Sequence, residues 1–401
     1  MKKHILVVSQ YFYPEPFRIN DMCQEWVKRG YKVTVLTGLP NYPEGKIYKG
    51  YKKRDKRRET WNGIDIIRIP LIPRGKGSLR LMLNYLSFVV SGFFWKTFTK
   101  VKADMVFSYE VSPMTQVLVG CWYAKRRKIP HYLYVQDLWP ENVEIVTGIH
   151  SKLVINPISR MVNNIYKFCD LIFATSKSFV AEVQKRVFDD KEKVKYWPQY
   201  AEEFYQPTEN RVEELSDDQA FKIIFTGNIG QAQGLNILPQ TAKILQAQNK
   251  NVRFVIVGDG REKDKLMEEI QRHGVEEMFV LIPRKPAEEI PKYLCSCQAA
   301  FVSFMNNELF AKTIPAKLQS YMACGMPIVA SATGETERIV QEADCGVYSK
   351  IGDAESLAQA IDELLKKEDI KSLGENAKFY FDKHFNKELL MDEMDEYLGE
   401  G

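Results

Sequence analysis

The sequence predicts an α/β protein made of two Rossmann-like, doubly wound domains. Short apolar runs alternate with helix-length segments from one end of the chain to the other. The runs are apolar throughout, not at every second residue, as in parallel strands covered on both faces. The pattern also halts once, in an acidic and apolar-poor stretch, and then restarts. Repeated strand–helix units with right-handed crossovers wind such sheets. The two domains are expected to face each other across a cleft, with ligands at the carboxyl ends of the strands.

In the first domain, residues 1–200, strands are expected at His4–Ser9, Lys32–Thr37, Ile64–Pro70, Met105–Tyr109, Tyr132–Asp137 and Leu171–Ser176. Helical patterns fall near 18–29, 79–99, 114–127, 156–168 and 178–187. Residues 201–220, acidic and containing Pro207, have linker composition. In the second domain, residues 221–380, strands are expected at Lys222–Thr226, Phe254–Val257, Phe279–Ile282, Ala300–Phe304, Ile328–Ala330 and Gly346–Tyr348. Helices follow near 235–248, 261–273, 287–294, 315–324, 335–342 and 354–366, and terminal helices near 369–398. Those near 380–401 are candidates to pack back on the first domain.

Composition narrows the function. The net charge of +4 on 401 residues argues against a dedicated nucleic-acid binder. The total conceals a division: residues 1–200 carry 34 Lys+Arg against 17 Asp+Glu, and residues 201–401 carry 22 against 35. Seven scattered cysteines show no zinc-site spacing and read as reduced, mostly core thiols of a cytoplasmic protein. The opening Met1–Ser9 is too short an apolar run for a signal peptide and reads as a buried first strand. Leu81–Trp95 is uncharged over fifteen residues, fewer than the ~18–20 that span a bilayer. It fits either a buried helix or a helix lying in a membrane surface. Between residues 28 and 80 there are 15 Lys+Arg against 4 Asp+Glu, with a cluster at Lys52–Arg58. An anionic leaflet would attract such residues.

Three segments carry candidate chemistry. Thr226-Gly227-Asn228-Ile229-Gly230, with Gln233-Gly234, follows a strand as a glycine-rich turn that suits either a phosphate or an ordinary connection. Its spacing matches neither the P-loop nor the dinucleotide fingerprint. Val257-Gly258-Asp259-Gly260 repeats the idea one strand later. In Glu308–Pro327, Pro315 starts a helix and Gly325 ends it. Lys317 then lies in the first turn and Lys312 just before it. Cations there oppose the helix dipole, a conflict that a bound polyphosphate reverses; the alternative is two solvated lysines. In the first domain, Asp137 and Glu141 follow a strand, as a sugar or acid/base site or as a turn cap. Tyr11, Glu15, Asn41 and Tyr42 lie in aromatic, polar loops suited to binding a sugar. His131, at the other end of its strand, reads as structural. Asp189-Asp190 lacks the context of a metal motif, and no metal or other cofactor is expected.

These motifs together resemble the retaining GT-B glycosyltransferases of family 4. Within them the chain is similar to the O-antigen, capsule and colanic-acid branch, often labelled fucosaminyl transferases. The resemblance rests on Ser9–Glu15, Leu36–Gly45, Asp137–Glu141, Thr226–Gly234 and Ile314–Gly325, and it spans essentially the whole chain. It implies metal-independent transfer from a UDP-sugar bound by the second domain to an acceptor on the first. Gly230 and Gln233 would lie near the donor diphosphate, with Gly258 also donor-binding and Lys312 and Lys317 stabilising the growing charge. Ile282 and Arg284 would lie beside the base, and Asp137 would face the reacting sugar. The family's two glutamates fall at Lys312 and Ser320 and are replaced. Gln319 or Ser320 would then remake the ribose contact, and Glu308 would reach the donor sugar.

The expected protein is a peripheral enzyme on the inner face of the cytoplasmic membrane. It would move a sugar, an N-acetylated deoxyhexosamine being one candidate, to a polyprenyl-diphosphate-linked saccharide in surface polysaccharide assembly. Other assembly enzymes are possible partners; nucleic acid is not expected. Two alternatives stay open: a catalytically silent GT-B subunit supporting another transferase, and a UDP-sugar epimerase.

Overall fold

The computed structural model describes all residues except 1, 52–55, 76, 188–189, 216–218 and 400–401. Lys52–Asp55 of the basic cluster and Asp189 therefore lie outside the described residues. The chain divides into two compact units, one ending at Trp197 and one running from Pro198 to Gly399.

In the first unit, β1 (His4–Val8), α1 (Arg18–Lys28), β2 (Lys32–Thr37), β3 (Arg58–Trp61), β4 (Ile64–Arg68), α2 (Ser78–Phe98) and β5 (Met105–Glu110) come first. Then come α3 (Val117–Arg127), β6 (His131–Val135), α4 (Glu141–Thr147), α5 (Lys152–Phe168), β7 (Leu171–Ala174), α6 (Lys177–Arg186) and β8 (Val194–Tyr196). The eight strands order β3-β4-β2-β1-β5-β6-β7-β8, and every pair except β3–β4 is parallel. Ile5, Leu6, Val7 and Val8 of β1 are all fully buried, as a central strand covered on both faces requires. On one face, Leu6, Val8 and Val106 pack with Phe88 of α2 and with Val119 and Tyr123 of α3.

Strands β3 and β8 were not expected. β3 pairs antiparallel with β4 across Asn62-Gly63, both at positive φ. Asn-Gly between strands is a strong hairpin signal, obscured here by the charge of Arg57 and Arg58. The hairpin is held by Arg68, 2% exposed, whose guanidinium donates to the Glu59 carboxylate at 2.7 Å and to the Tyr13 carbonyl at 2.8 Å.

The second unit contains β9 (Phe221–Asn228), α7 (Leu238–Ala247), β10 (Val252–Asp259), α8 (Lys263–His273), β11 (Phe279–Ile282), α9 (Ile290–Cys295), β12 (Ala299–Ser303) and α10 (Glu308–Ala311). These are followed by α11 (Ala316–Ala323), β13 (Ile328–Ser331), α12 (Glu335–Ala343), β14 (Gly346–Ser349), α13 (Ala354–Leu365), α14 (Ile370–His384) and α15 (Lys387–Tyr397). Its six strands order β11-β10-β9-β12-β13-β14, all parallel. Phe225, Ile256 and Phe301 lead into a core closed by α7 and α13.

Residues 201–215 and 219–220 are part of this unit. Leu215 and Ala220 are buried, and the Val212 N–H donates to Ser296 Oγ at 2.8 Å. The acidic composition of the segment reflects its exposed positions, and a few apolar anchors suffice to dock it. The terminal helices fall within the same unit; α14 packs on α11 and α12.

The ends of β9 and β10 approach so closely that side chains are excluded. A Cβ at Gly258 would lie 1.9 Å from the Gly227 carbonyl oxygen, and one at Gly260 would lie 2.2 Å from that of Ile229. Gly258→Ala is therefore expected to cost about 1–3 kcal/mol of unfolding free energy, measured by urea denaturation. A loss under about 0.5 kcal/mol would show that the strand ends separate freely.

Candidate functional site

In the second unit, β9 ends in Thr226-Gly227-Asn228, and Gly227 adopts φ +123°. The chain then makes one short turn, Gln231–Gln233, and leaves through Gly234 at φ +59°. Gln233 Oε1 accepts the Gly230 N–H at 3.2 Å, and Ser303 Oγ donates to the Gln233 carbonyl. The Gln233 side chain thus closes the turn on itself. A cavity of about 350 Å³ beside the turn is lined by Gly230, Gln231, Phe304, Met305 and Ser331, but not by Lys317.

Helix α11 begins after Pro315, at φ −70°, a geometry proline supplies without strain. Tyr321 fixes it to the sheet: its hydroxyl accepts the Thr226 N–H at 2.8 Å. One turn earlier on the same face, Lys317 Nζ lies 3.8 Å from the centre of the Phe225 ring. It is also 3.8 Å from where a Cβ at Gly227 would sit. Among the described residues no carboxylate pairs with this ammonium. Burial without a counter-charge lowers its pKa from 10.5 to about 7. An uncompensated cation, a helix N-terminus and a glycine turn are the features that anion-binding sites use.

The other expected donor residues are placed as follows. Gln319 is buried and its amide donates to the Gln199 carbonyl at 2.5 Å. Two residues beyond Lys317, it lies on another side of the helix. Ser320 Oγ donates to the Ala316 carbonyl at 3.2 Å. Both side chains are buried and make these bonds within the second unit, while Gln319 Oε1 has no hydrogen-bond partner among the described residues. Glu308 is exposed at the start of α10, with Asn307 capping that helix. Lys312 directly follows α10 and is half-buried. Ile282 is buried at the end of β11, and Arg284 is exposed just beyond it. Gly258 serves strand packing. Phe225 and Tyr321, which shape the lysine's surroundings, carried no sequence signal beyond being apolar or aromatic.

In the first unit, a cavity of about 740 Å³ opens at the carboxyl ends of the strands. Tyr11, Tyr42, Arg74, Asp137 and Trp139 line its inner part, and Leu79, Met82 and Leu86 of α2 form one wall. Val154, Pro157, Ile158 and Met161 of α5 form another. Asp137 Oδ2 accepts the Ser112 N–H at 2.8 Å, while the Asp137 N–H donates to the Glu110 carboxylate at 3.3 Å. Ser112 Oγ also accepts from Trp139 Nε1 at 3.0 Å and from Asn142 at 2.7 Å. Glu110, absent from the sequence reading, is wholly buried. Burial, and then the neighbouring Asp137 charge, push its pKa well above the usual carboxylate range.

Glu15 and Asn41 are in the protein framework and not on the cavity surface, a correction to their role as acceptor ligands. Glu15 is 1% exposed and accepts the N–H groups of Asn41 at 2.7 Å and Tyr42 at 2.6 Å. Burial still pushes its pKa up to about 7, against the pull of those N–H groups. Asn41 Oδ1 accepts the Arg74 N–H at 2.9 Å. These bonds knit together the loops after β1, β2 and β4 and hold Tyr11 and Tyr42 at the cavity. Among the described residues, no three metal-ligating side chains converge at the carboxyl end of either sheet.

Two family descriptions match the chain in succession. Residues 17–198 match the glycosyl transferase 4-like domain, and residues 206–379 match the glycosyl transferases group 1. The chain belongs to the group 1, GT4-like family of GT-B glycosyltransferases. This glycosyltransferase is 25% identical to the Escherichia coli K12 protein named as colanic acid biosynthesis glycosyl transferase WcaI, over 83% of this chain and 84% of that one. Among solved structures, sucrose-phosphate synthase from Thermosynechococcus elongatus shares the fold at TM-score 0.75 and 15% identity, covering 99% of this chain and 98% of that one. Anabaena Alr3699/HepE, solved in complex with UDP, does so at 0.72 and 16%, covering all of both chains.

Because Lys317 titrates lower in the folded than in the unfolded protein, the unfolded state holds the extra proton between pH 7 and 10.5. The lysine thus costs stability most below pH 7, and the cost fades toward pH 10.5. Lys317→Met is expected to raise unfolding free energy at pH 6 by about 1–2 kcal/mol, with a smaller gain at pH 9. An equal gain at both pH values, or a loss at pH 6, would contradict an uncompensated charge.

Proposed function

We propose that this glycosyltransferase moves a sugar from a UDP-sugar to a lipid-diphosphate-linked saccharide in bacterial surface polysaccharide assembly. The supporting observation is Lys317, a desolvated ammonium with no carboxylate partner among the described residues, beside a glycine turn at the carboxyl end of β9. The bond from the sugar's anomeric carbon to the β-phosphate oxygen breaks as the acceptor hydroxyl bonds to that carbon. The hydroxyl proton leaves with the diphosphate. Negative charge grows on that diphosphate, and Lys317 with the N-terminal N–H groups of α11 stabilises it, electrostatic work of the kind that commonly dominates catalysis. Lys312, just before the helix, adds charge at the same end. Retention and independence of a metal rest on the family resemblance. Asp137, held by Ser112 in the acceptor cavity, is the residue proposed to face the reacting sugar.

The apolar walls of the first cavity favour an acceptor carrying a lipid. On α2, Leu79, Met82, Val90, Phe94 and Phe98 are 51–79% exposed, an unusual apolar display for a water-facing helix. Leu153 and Val154 of α5 are exposed too, and Arg80, Lys152 and Arg160 lie exposed on the same two helices. Apolar residues flanked by cations suit an anionic leaflet. No helix among the described residues is long and apolar enough to cross a membrane. An N-acetylated deoxyhexosamine remains the proposed sugar, from resemblance to the colanic-acid branch.

UDP release from a panel of UDP-sugars with a polyprenyl-diphosphate-sugar acceptor should reveal one productive donor, and Lys317→Ala should lower that turnover at least tenfold. No turnover with any donor would favour the silent-subunit reading. Separately, changing Val90, Phe94 and Phe98 together to Glu should weaken binding to anionic vesicles more than tenfold in a sedimentation assay. Unchanged binding would place the membrane contact elsewhere.

A further inference from the structure

At the opposite end of the first sheet from the acceptor cavity, three buried side chains distant in sequence converge. Cys121 lies within α3, His131 opens β6 and Cys169 follows α5. They are 8%, 0% and 1% exposed. One ligand atom from each, the two sulfurs and a ring nitrogen, fits within 4.8 Å of the others. Cys169 Sγ is 3.7 Å from His131 Nδ1. The other ring nitrogen, Nε2, is bonded to the buried Ser108 Oγ at 2.7 Å. The main chain is also fixed, because the His131 N–H donates to Asp170 Oδ2 at 2.8 Å.

We propose that Cys121, His131 and Cys169 form a binding site for a thiophilic d¹⁰ cation, Zn²⁺ being the representative ion. Zinc bonds of about 2.3 Å to sulfur and about 2.0 Å to nitrogen, at a tetrahedral angle, leave sulfur and nitrogen about 3.5 Å apart. The 3.7 Å separation of Cys169 and His131 is close to that before any metal-driven adjustment. Two sulfurs and an imidazole, with no carboxylate in the set, favour soft or borderline cations over Mg²⁺ or Ca²⁺. Ser108 occupies the outer position that orients a metal-bound histidine and directs its free nitrogen at the ion. Gly120 permits this convergence: a Cβ there would lie 2.6 Å from Ser108 Oγ and 2.9 Å from His131 Nε2. The cation would clamp α3, β6 and the α5–β7 junction at one point. It lies beyond the transfer site, since Asp137 is past the other end of β6.

The test uses the full chain, stripped with a chelator under reducing conditions, reloaded with Zn²⁺ and freed of excess metal. The expected result is one zinc per chain by elemental analysis. A rise of several degrees in the thermal midpoint should accompany it, since binding to the folded state alone stabilises it. Cys121→Ser and Cys169→Ser should lose the bound zinc, and Cys345→Ser, a buried cysteine of the other unit, should keep it. Ser108→Ala leaves all three ligands in place and should weaken affinity about 10-fold or more, which guards against misfolding in the cysteine variants. No retained zinc in the wild type, or zinc retained by both ligand variants, would overturn the site. A Cys121–Cys169 disulfide forming under the same conditions in place of metal binding would also overturn it.

Discussion

One ammonium group, which no carboxylate among the described residues pairs with, sets the demands on the second unit. Lys317 is carried by a helix start that repels cations, beside an aromatic ring, and facing a backbone turn with no side chain. Each neighbour removes water from it and none returns a full negative charge, so its proton is held far more weakly than on an exposed lysine. The surrounding sequence makes that arrangement possible. Gly227 leaves room for the ammonium, Pro315 starts the helix, and Tyr321 locks the helix to the strand that bears the turn. In the proposed reaction, a leaving diphosphate would supply the absent charge.

The first unit uses the opposite chemistry. Its cavity is apolar, and its polar groups are mostly spent holding loops in place. Glu15 and Asn41 hold three connections together, while Ser112 gathers Asp137, Trp139 and Asn142 around one residue. Glu110 supports Asp137 from behind through a backbone N–H. Burial raises the pKa of both Glu15 and Glu110. The division of charge runs along the same line: the basic half bears the exposed apolar helix, and the acidic half carries the lysine proposed to meet the diphosphate.

The strands were legible because parallel strands buried on both faces are apolar throughout, a local property of runs such as Ile5–Val8 and Ile223–Phe225. Helix α2 was legible in extent but not in setting, since composition does not distinguish a helix buried in protein from one facing a membrane. The Asn62-Gly63 hairpin was readable and was masked by neighbouring charge. Lys317 stood out because it breaks a local electrostatic rule. The surroundings of Gln319 were not legible because they depend on the Gln199 carbonyl, 120 residues away. Glu110 ends an otherwise apolar strand and looked like an ordinary boundary. The Cys121–His131–Cys169 group was invisible for a similar reason: its spacing follows no ligand motif, and only the winding of α3, β6 and α5 brings its members together.

The most direct test of the central claim is an NMR pH titration of the Lys317 side chain, assigned with Lys317→Arg, with and without UDP. The account predicts a pKa near 7 in the free protein, rising by more than one unit when the diphosphate binds and supplies the absent charge. A value near 10.5 in the free protein, unchanged by UDP, would contradict it.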